Sequence, residues 1–100
     1  PEKDTGKRLA HQMLSDRILD YIVLADNYSI IEILAVGPVI DHTLIELNIP
    51  TRFRINITAI KRQNSIIVPQ ANTSIITGDR LLVIGENKDL TEFNHWLLDD

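Results

Sequence analysis

Most of the predicted sheet comes from residues 55–85, which read INITAIKRQNSIIVPQANTSIITGDRLLVIG. Short runs rich in β-branched residues alternate there with polar turns, a pattern typical of closely spaced strands. Pro69 ends one run because proline cannot donate a hydrogen bond to a neighbouring strand, and Gly85 closes the last one. The expected elements are strands over 55–60, 65–68 and 80–84, turns over 61–65 and 77–79, and a brief extended piece over 72–76.

Two more strands are predicted before this region. Apolar residues dominate 21–24 and 29–36, where Glu32 interrupts the second run, and the polar pair at 26–27 indicates a turn between them. The Gly-Pro pair at 37–38 stops the second run. These segments therefore predict a short strand, a turn and a longer strand.

A short central helix and a C-terminal helix are predicted as well. Thr43 and Glu46 have the spacing of a capping box, in which each side chain binds the backbone N–H of the other residue. The helix that they begin is expected to have two turns, because Pro50 cannot continue it. The last helix is capped by Asn87 or Asp89, and its buried side follows the helical period through Leu90, Phe93, Trp96 and Leu97.

The N-terminal segment from Asp4 to Tyr21 also has a helical pattern. Its apolar positions recur at spacings of three and four: Leu9, Ala10, Met13, Leu14 and Ile18. Ser15-Asp16 could end one helix and cap a second, short one that runs through Asp20. The apolar stripe either packs on this domain or, in a crossover helix, belongs to a neighbouring domain or subunit.

The elements follow the order α-β-β-α-β-β-β-α. Runs of strands interrupted by a few helices predict an α+β domain, in which helices cover one face of a small, mainly antiparallel sheet. One hundred residues with 44% hydrophobic composition are enough for one small core. Pro1 is not a natural initiator residue, so we expect the chain to be part of a longer protein.

The composition excludes several classes of function. The net charge of −4 argues against a nucleic-acid partner, since phosphate binding favours a basic face. The chain has no cysteine, which removes disulfides and thiolate metal sites and agrees with a reducing cytoplasm. No apolar run approaches the length that crosses a bilayer.

Catalytic patterns are missing from the sequence, so an enzyme is not predicted. His11, His42 and His95 are too dispersed for a metal site with ligands a few residues apart. The four glycines occur singly, and no phosphate-cradling glycine-rich loop is present. A metal- or small-anion-sensing lobe is one alternative, and its only candidate residues are His42, Asp41 and Glu46.

One basic cluster contrasts with the acidic background: Arg52, Arg54, Lys61 and Arg62. Such a cluster is either the solvated rim of a strand pair or an anion site. In the second case, N–H groups of the 50–56 loop and a nearby guanidinium would bind a phosphate. Apolar neighbours could hold a flat ring beside it, namely Ile49, Ile57, Val68 and Pro69.

The ordered set of motifs resembles the C-terminal domain of RCK (regulator of conductance of potassium) proteins, the TrkA-C domain of TrkA/KtrA-type subunits. The matching stretches are SIIE at 29–32, TLIELNI at 43–49, INITAIKR at 55–62, IIVP at 66–69 and TGDRLLVIG at 77–85. GKRLA at 6–10 and DYI at 20–22 resemble the linking helix of KtrA-type members. Each stretch is short, but their common order covers more than half of the chain.

The resemblance implies a regulatory subunit of a membrane potassium channel or transporter. Residues 1–20 would be the linker or crossover helix from a missing N-terminal Rossmann lobe, which binds NAD(H), ATP or ADP in such proteins. Residues 21–100 would be the C-terminal lobe, which forms a two-fold dimer within a larger ring. The subunit would be cytoplasmic and would lie at the inner face of the cell membrane through its transporter partner.

In many KtrA-like members, cyclic di-AMP binds across the dimer interface. Carried over position by position, the resemblance implies a site made of Leu47, Asn48, Ile49, Pro50, Thr51, Asn56, Ile57 and Pro69. The apolar residues would flank adenine, and the side chain of Asn56 and the N–H of Ile57 would meet phosphate. Family binders commonly have Asp-Ile-Arg where this chain has Asn-Ile-Pro at 48–50, so Arg52 or Arg54 is the candidate replacement for the phosphate-binding arginine. The alternative is a structural dimerisation module without a ligand of its own.

Overall fold

The computed structural model describes residues 17–98 and contains one five-stranded sheet. Its strands are β1 (Ile18–Ala25), β2 (Tyr28–Leu34), β3 (Asn56–Arg62), β4 (Ser65–Ile67) and β5 (Arg80–Glu86). They lie side by side in the order β1-β2-β5-β3-β4, and every neighbouring pair is antiparallel. The last strand of the chain is therefore the central one, with a hairpin on each side.

The helical elements of the described chain are short except for the last one. They are a 3-10 helix (Gly37–Val39), α1 (Leu44–Leu47), α2 (Ile49–Phe53) and α3 (Asn87–Leu98). Alternate residues of β2 and β5 are buried on one face of the sheet, where α3 packs against both strands. The predicted α+β class, with helices on one face of an antiparallel sheet, is confirmed.

The core lies between this face of the sheet and the helices. Strands supply Ile31, Ile33, Leu81 and Val83, and α3 supplies Leu90, Phe93 and Leu97, all of them nearly or fully buried. Each such aliphatic side chain contributes about 1.5–3 kcal/mol on burial. Gly85 belongs to the same face, where a Cβ would lie 2.5 Å from Cγ2 of Ile55, so only glycine fits. This core holds β3, β5 and α2 in fixed relative positions.

The N-terminal prediction requires a correction. Residues 18–20 were expected to end a helix, but they begin β1, which is paired with β2 from Ile18↔Ile33 to Ala25↔Tyr28. The spacing of the apolar residues in this segment is compatible with a helix and equally with a strand. Pairing with β2 decides between the two, because a strand gains its hydrogen bonds from a distant partner. The earlier part of the predicted helix lies outside the described residues.

The central helix also differs from its prediction. The two-turn helix is broken at Asn48, which adopts the left-handed conformation (φ 52°), and a second helix follows with proline in its first turn. Pro50 therefore lies inside α2, where the missing N–H would have had no helical partner in any case. The break changes the direction of the chain just before the strand β3.

Candidate functional site

A cleft opens where β4 diverges from β3. Strand β4 pairs with β3 only over Ile60–Arg62, whereas the pairing of β3 with β5 begins at Asn56. The first half of β3 thus has no strand on its outer side, and the chain after β4 turns towards α1. The resulting cleft has a volume of about 360 Å³ and is lined by Leu44, Ile45, Asn48, Ile49, Pro50, Asn56, Ile57, Pro69, Gln70 and Ala71.

Helix α1 forms one side of the cleft and is fixed by the predicted capping box. The hydroxyl of Thr43 accepts a hydrogen bond from the N–H of Glu46 (3.2 Å), and the Glu46 carboxylate accepts one from the N–H of Thr43 (2.8 Å). The hydrogen bond from the Thr43 backbone is the main cause that lowers the pKa of the Glu46 carboxyl. Nδ1 of His42 lies 3.6 Å from the same carboxylate. Both ends of the box are therefore satisfied locally.

The segment after β4 forms the opposite wall and is hydrogen-bonded to α1. The N–H of Leu44 donates to the carbonyl of Thr73 (3.1 Å), and the N–H of Ile45 donates to that of Ala71 (3.0 Å). These are first-turn N–H groups, which have no partner inside their own helix. The wall therefore caps α1, and it is long-range contact rather than local sequence that closes this side of the cleft.

The break at Asn48 determines which residues lie at the bottom of the cleft and which lie around its opening, here called the rim. Its left-handed backbone lets α2 begin at a new angle, so that Asn48 and Pro50 stay exposed beside the cleft while Ile49 is buried beneath it. Ile45, which lines the cleft, is 70% exposed, and Val68, which precedes the lining residue Pro69, is 77% exposed. These two side chains leave apolar surface open to solvent beside the cleft.

The chemical character of the cleft is apolar with amide groups. Asn48, Asn56 and Gln70 supply carbonyl oxygens and NH₂ groups, and none of the lining residues in the described chain carries a charge. Apolar side chains can hold a flat ring between them, and amides can both donate and accept hydrogen bonds at a ring edge or a phosphate. The cleft is therefore suited to a ligand that combines aromatic rings with polar groups.

The structure brings six of the eight residues of the predicted site into one cleft: Asn48, Ile49, Pro50, Asn56, Ile57 and Pro69. Leu47 is 5% exposed and belongs to the core, and Thr51 is exposed but does not line the cleft. Four lining residues were missed: Leu44, Ile45, Gln70 and Ala71. The capping box at Thr43 was a signal for the first two, because it fixes where α1 begins.

The two candidate phosphate partners lie outside the cleft of their own chain. Arg52 and Arg54 line a separate groove together with Phe53, Lys88, Asp89 and Glu92, between α2 and the start of α3. The guanidinium of Arg52 lies over the Trp96 ring, 4.6 Å from its centroid, and is held there by a cation–π contact. Neither arginine lines the cleft, because α2 turns its C-terminal end towards α3.

The other half of the basic cluster is engaged in ion pairs. Nζ of Lys61 lies 3.2 Å from Glu32, and Arg62 binds Asp79. The four basic residues therefore do not form one anion site. Within residues 17–98, no group of three histidine, cysteine or acidic residues could hold a metal ion. In the same part of the chain, no helix is long and apolar enough to cross a membrane.

Comparison with known proteins identifies sequence relatives. The family model of the TrkA-C domain matches residues 28–98. The chain is 39% identical to the Ktr system potassium uptake protein C of Bacillus subtilis (strain 168) over 99 residues, which cover 98% of this chain and 45% of that protein. It is 35% identical to the Ktr system potassium uptake protein A of the same organism, over 95% of this chain and 43% of that protein. The chain thus spans less than half of the length of these relatives.

Solved structures show the same fold. The RCK C domain of the potassium transport protein KtrA, in complex with cyclic diadenosine monophosphate, is 38% identical, with a TM-score of 0.64 over 69% of this chain and 82% of that one. The GsuK RCK domain is 22% identical, with a TM-score of 0.71 over 95% of this chain and 21% of that one, a likeness that concerns the fold alone.

Proposed function

Because the chain belongs to the TrkA-C domain family, we propose that it is the regulatory lobe of a cytoplasmic subunit that gates a membrane potassium channel or transporter. We further propose that its cleft binds cyclic di-AMP. The observation that carries the second proposal is the cleft beside β3, combined with the 38% identity to a KtrA domain that was solved with this ligand. The role is one of binding and regulation rather than catalysis.

The shape of the ligand supports a dimer. Cyclic di-AMP has two equivalent halves, and a two-fold interface presents the same groups to each of them. In this arrangement one adenine enters the cleft of each protomer, and the exposed side chains of Ile45 and Val68 are covered at the interface. The adenine would lie against Ile49, Ile57 and Pro69, with Asn48 at its polar edge.

The phosphate would be bound without a cationic side chain. Arg52 and Arg54 line another groove, and position 50 is a proline, so the amide of Asn56 and the N–H of Ile57 are the proposed partners. These neutral donors form charge-assisted hydrogen bonds to the anionic phosphate, but they add no ion pair to it. We therefore expect an affinity that depends on shape and stacking more than on charge.

The proposed mechanism is a shift between arrangements of the lobes. A ligand that binds one dimer arrangement more tightly moves the population towards it, by no more than its difference in affinity for the two. In the full-length subunit, the residues before β1 would connect this lobe to an N-terminal lobe that binds NAD(H), ATP or ADP. Rings of such subunits at the inner face of the membrane would pass the shift to the pore.

Calorimetry on the purified chain tests the ligand. Cyclic di-AMP is titrated into the wild type and into Asn56→Ala, which removes the proposed phosphate partner and is expected to weaken binding about tenfold, as loss of a hydrogen bond does. Arg54→Ala is the matched control in the other groove and is expected to bind as the wild type does. Absence of heat from a folded wild-type dimer at tens of micromolar ligand would refute the ligand proposal.

A second candidate function is a structural dimerisation module that transmits signals sensed elsewhere in the full-length protein. The uncharged lining of the cleft and the proline at position 50 favour it. The variant Pro50→Arg separates the two. Binding that appears only in this variant indicates a module whose ligand site has been lost, whereas tight binding by both proteins supports the ligand proposal.

A further inference from the structure

The pair formed by Arg62 and Asp79 lies outside the cleft but next to its wall. Nε of Arg62 donates to Oδ1 of Asp79 (2.9 Å) and Nη2 donates to Oδ2 (2.8 Å), a two-pronged contact. Asp79 has no exposed surface, and its Oδ2 also accepts the N–H of Ile76 (3.0 Å). Nη2 of Arg62 makes another hydrogen bond, to the carbonyl of Ser74 (2.9 Å).

These bonds tie the end of β3 to the segment 74–79. The same segment continues an irregular ladder against the start of α1. Ile75 exchanges hydrogen bonds with Asp41 and His42, and Thr43 forms an isolated bridge with Ser74. The next two hydrogen bonds of this ladder run from the N–H groups of Leu44 and Ile45 in α1 to the carbonyls of Thr73 and Ala71. One unbroken set of hydrogen bonds therefore runs from Arg62 to Ala71 at the cleft.

The geometry points to Arg62 and Asp79 as positioning residues for the ligand, an inference that rests on the proposed function of the cleft. They hold the segment 71–75 against α1 and so keep Gln70 and Ala71 at the distance from β3 that the ligand requires. Neither residue lines the cleft. When this bond set loosens, the wall moves away from α1 and only part of the population is competent to bind. The apparent dissociation constant then rises by the inverse of that fraction.

Arg62→Lys tests the inference because it keeps the positive charge but loses the planar fork that reaches both Asp79 and Ser74. Amide hydrogen exchange is measured for Leu44, Ile45 and Ile75, and cyclic di-AMP affinity is measured by calorimetry on the same samples at a temperature where every protein is folded. We expect exchange at these amides to become about tenfold faster and the affinity to fall about tenfold. Exchange at β2 and β5 amides should not change.

Lys61→Met is the matched control. Lys61 is the neighbouring residue of β3, and its partner Glu32 lies on the opposite face of the sheet, with no bond to the cleft wall. Glu32 keeps Arg80 as a second partner, at 3.4 Å, so the control removes a comparable ion pair without leaving a buried charge alone. Exchange at α1 and ligand affinity should both match the wild type.

Asp79→Asn is a second variant, for use if Arg62→Lys does not fold. It removes the charge of Asp79, and the unpaired Arg62 can still contact water because its side chain is partly exposed. The inference is overturned if exchange at the three amides is unchanged, or if affinity falls equally in the Lys61→Met control. If the wild type binds no cyclic di-AMP, the proposed function fails on its own. The exchange measurement then still supports or refutes Arg62 and Asp79 as the groups that hold the wall.

Discussion

Asp79 is a fully buried carboxylate whose environment both opposes and favours its charge. Burial raises the pKa of the Asp79 carboxyl. The hydrogen bond from Arg62, the N–H of Ile76 and the charge of Arg62 outweigh that effect, so the pKa lies below its usual value of 3.8. A carboxyl whose pKa is lowered on folding stabilises the protein above its unfolded pKa, and this contribution is lost as the pH falls through the folded pKa.

We therefore expect Asp79→Asn to be less stable than the wild type at pH 7, and the difference to shrink as the pH falls below about 4. The reason is that the wild type must protonate Asp79 to lose the pair, while the variant has already lost the charge. Urea unfolding between pH 7 and pH 2 measures both curves. A difference that stays constant over this range would contradict the assignment.

At the scale of single elements, local patterns were predictable and changes of direction were not. The capping box of α1 was found from the sequence because Thr43 and Glu46 interact within one turn. The break at Asn48 was missed, since Pro50 was treated as the end of a helix although proline is also accepted in a first turn. Arg52 and Arg54 follow that break and line a separate groove, so the position of the two arginines could not be predicted without it.

The far wall of the cleft could not be predicted for a different reason. Gln70 and Ala71 are ordinary loop residues in sequence, and the carbonyl of Ala71 is tied to the site by the N–H of Ile45, more than twenty residues earlier. The same limit explains β1, whose helical spacing was overruled by pairing with β2. Both the wall of the cleft and strand β1 therefore depend on contacts between residues that are distant in sequence.

The capping box offers a test at the scale of the element. Thr43→Ala removes the hydroxyl that accepts the N–H of Glu46, and loss of such a cap costs about 1 kcal/mol. Chemical denaturation measures the loss, and we also expect weaker cyclic di-AMP binding because α1 lines the cleft. Thr51→Ala, at an exposed position of α2, is the control. Equal stability of the two variants would show that the cap does not stabilise α1.

At the scale of the whole molecule, the exposed apolar rim predicts self-association. Ile45→Asp combined with Val68→Asp places two charges at the proposed interface and should convert a dimer into a monomer, since like charges and desolvation both oppose contact. Sedimentation velocity measures the change, and circular dichroism confirms that the fold is retained. Leu24→Asp, on the opposite edge of the sheet and also half exposed, should remain dimeric. A monomeric Leu24→Asp would place the interface on the β1 side instead.

The uncharged cleft gives a second prediction at this scale. If no cationic side chain meets the phosphates, the affinity for cyclic di-AMP should change by less than about threefold between roughly 0.05 and 0.3 M salt, because screening acts on charge pairs. Calorimetry at several salt concentrations measures the slope. The variant Pro50→Arg should bind with a clear salt dependence. A steep slope in the wild type would mean that a charged group contacts the ligand.

The early end of β4 affects how the sequence of this domain can evolve. The cleft arises from a strand that stops short, and most of its lining consists of side chains outside the core, with Ile49 the exception among those described. Substitutions there cost little folding stability, since surface changes usually alter it by less than about 0.5 kcal/mol. The lining of the cleft can therefore change in sequence while the sheet and core behind it keep the same constraints.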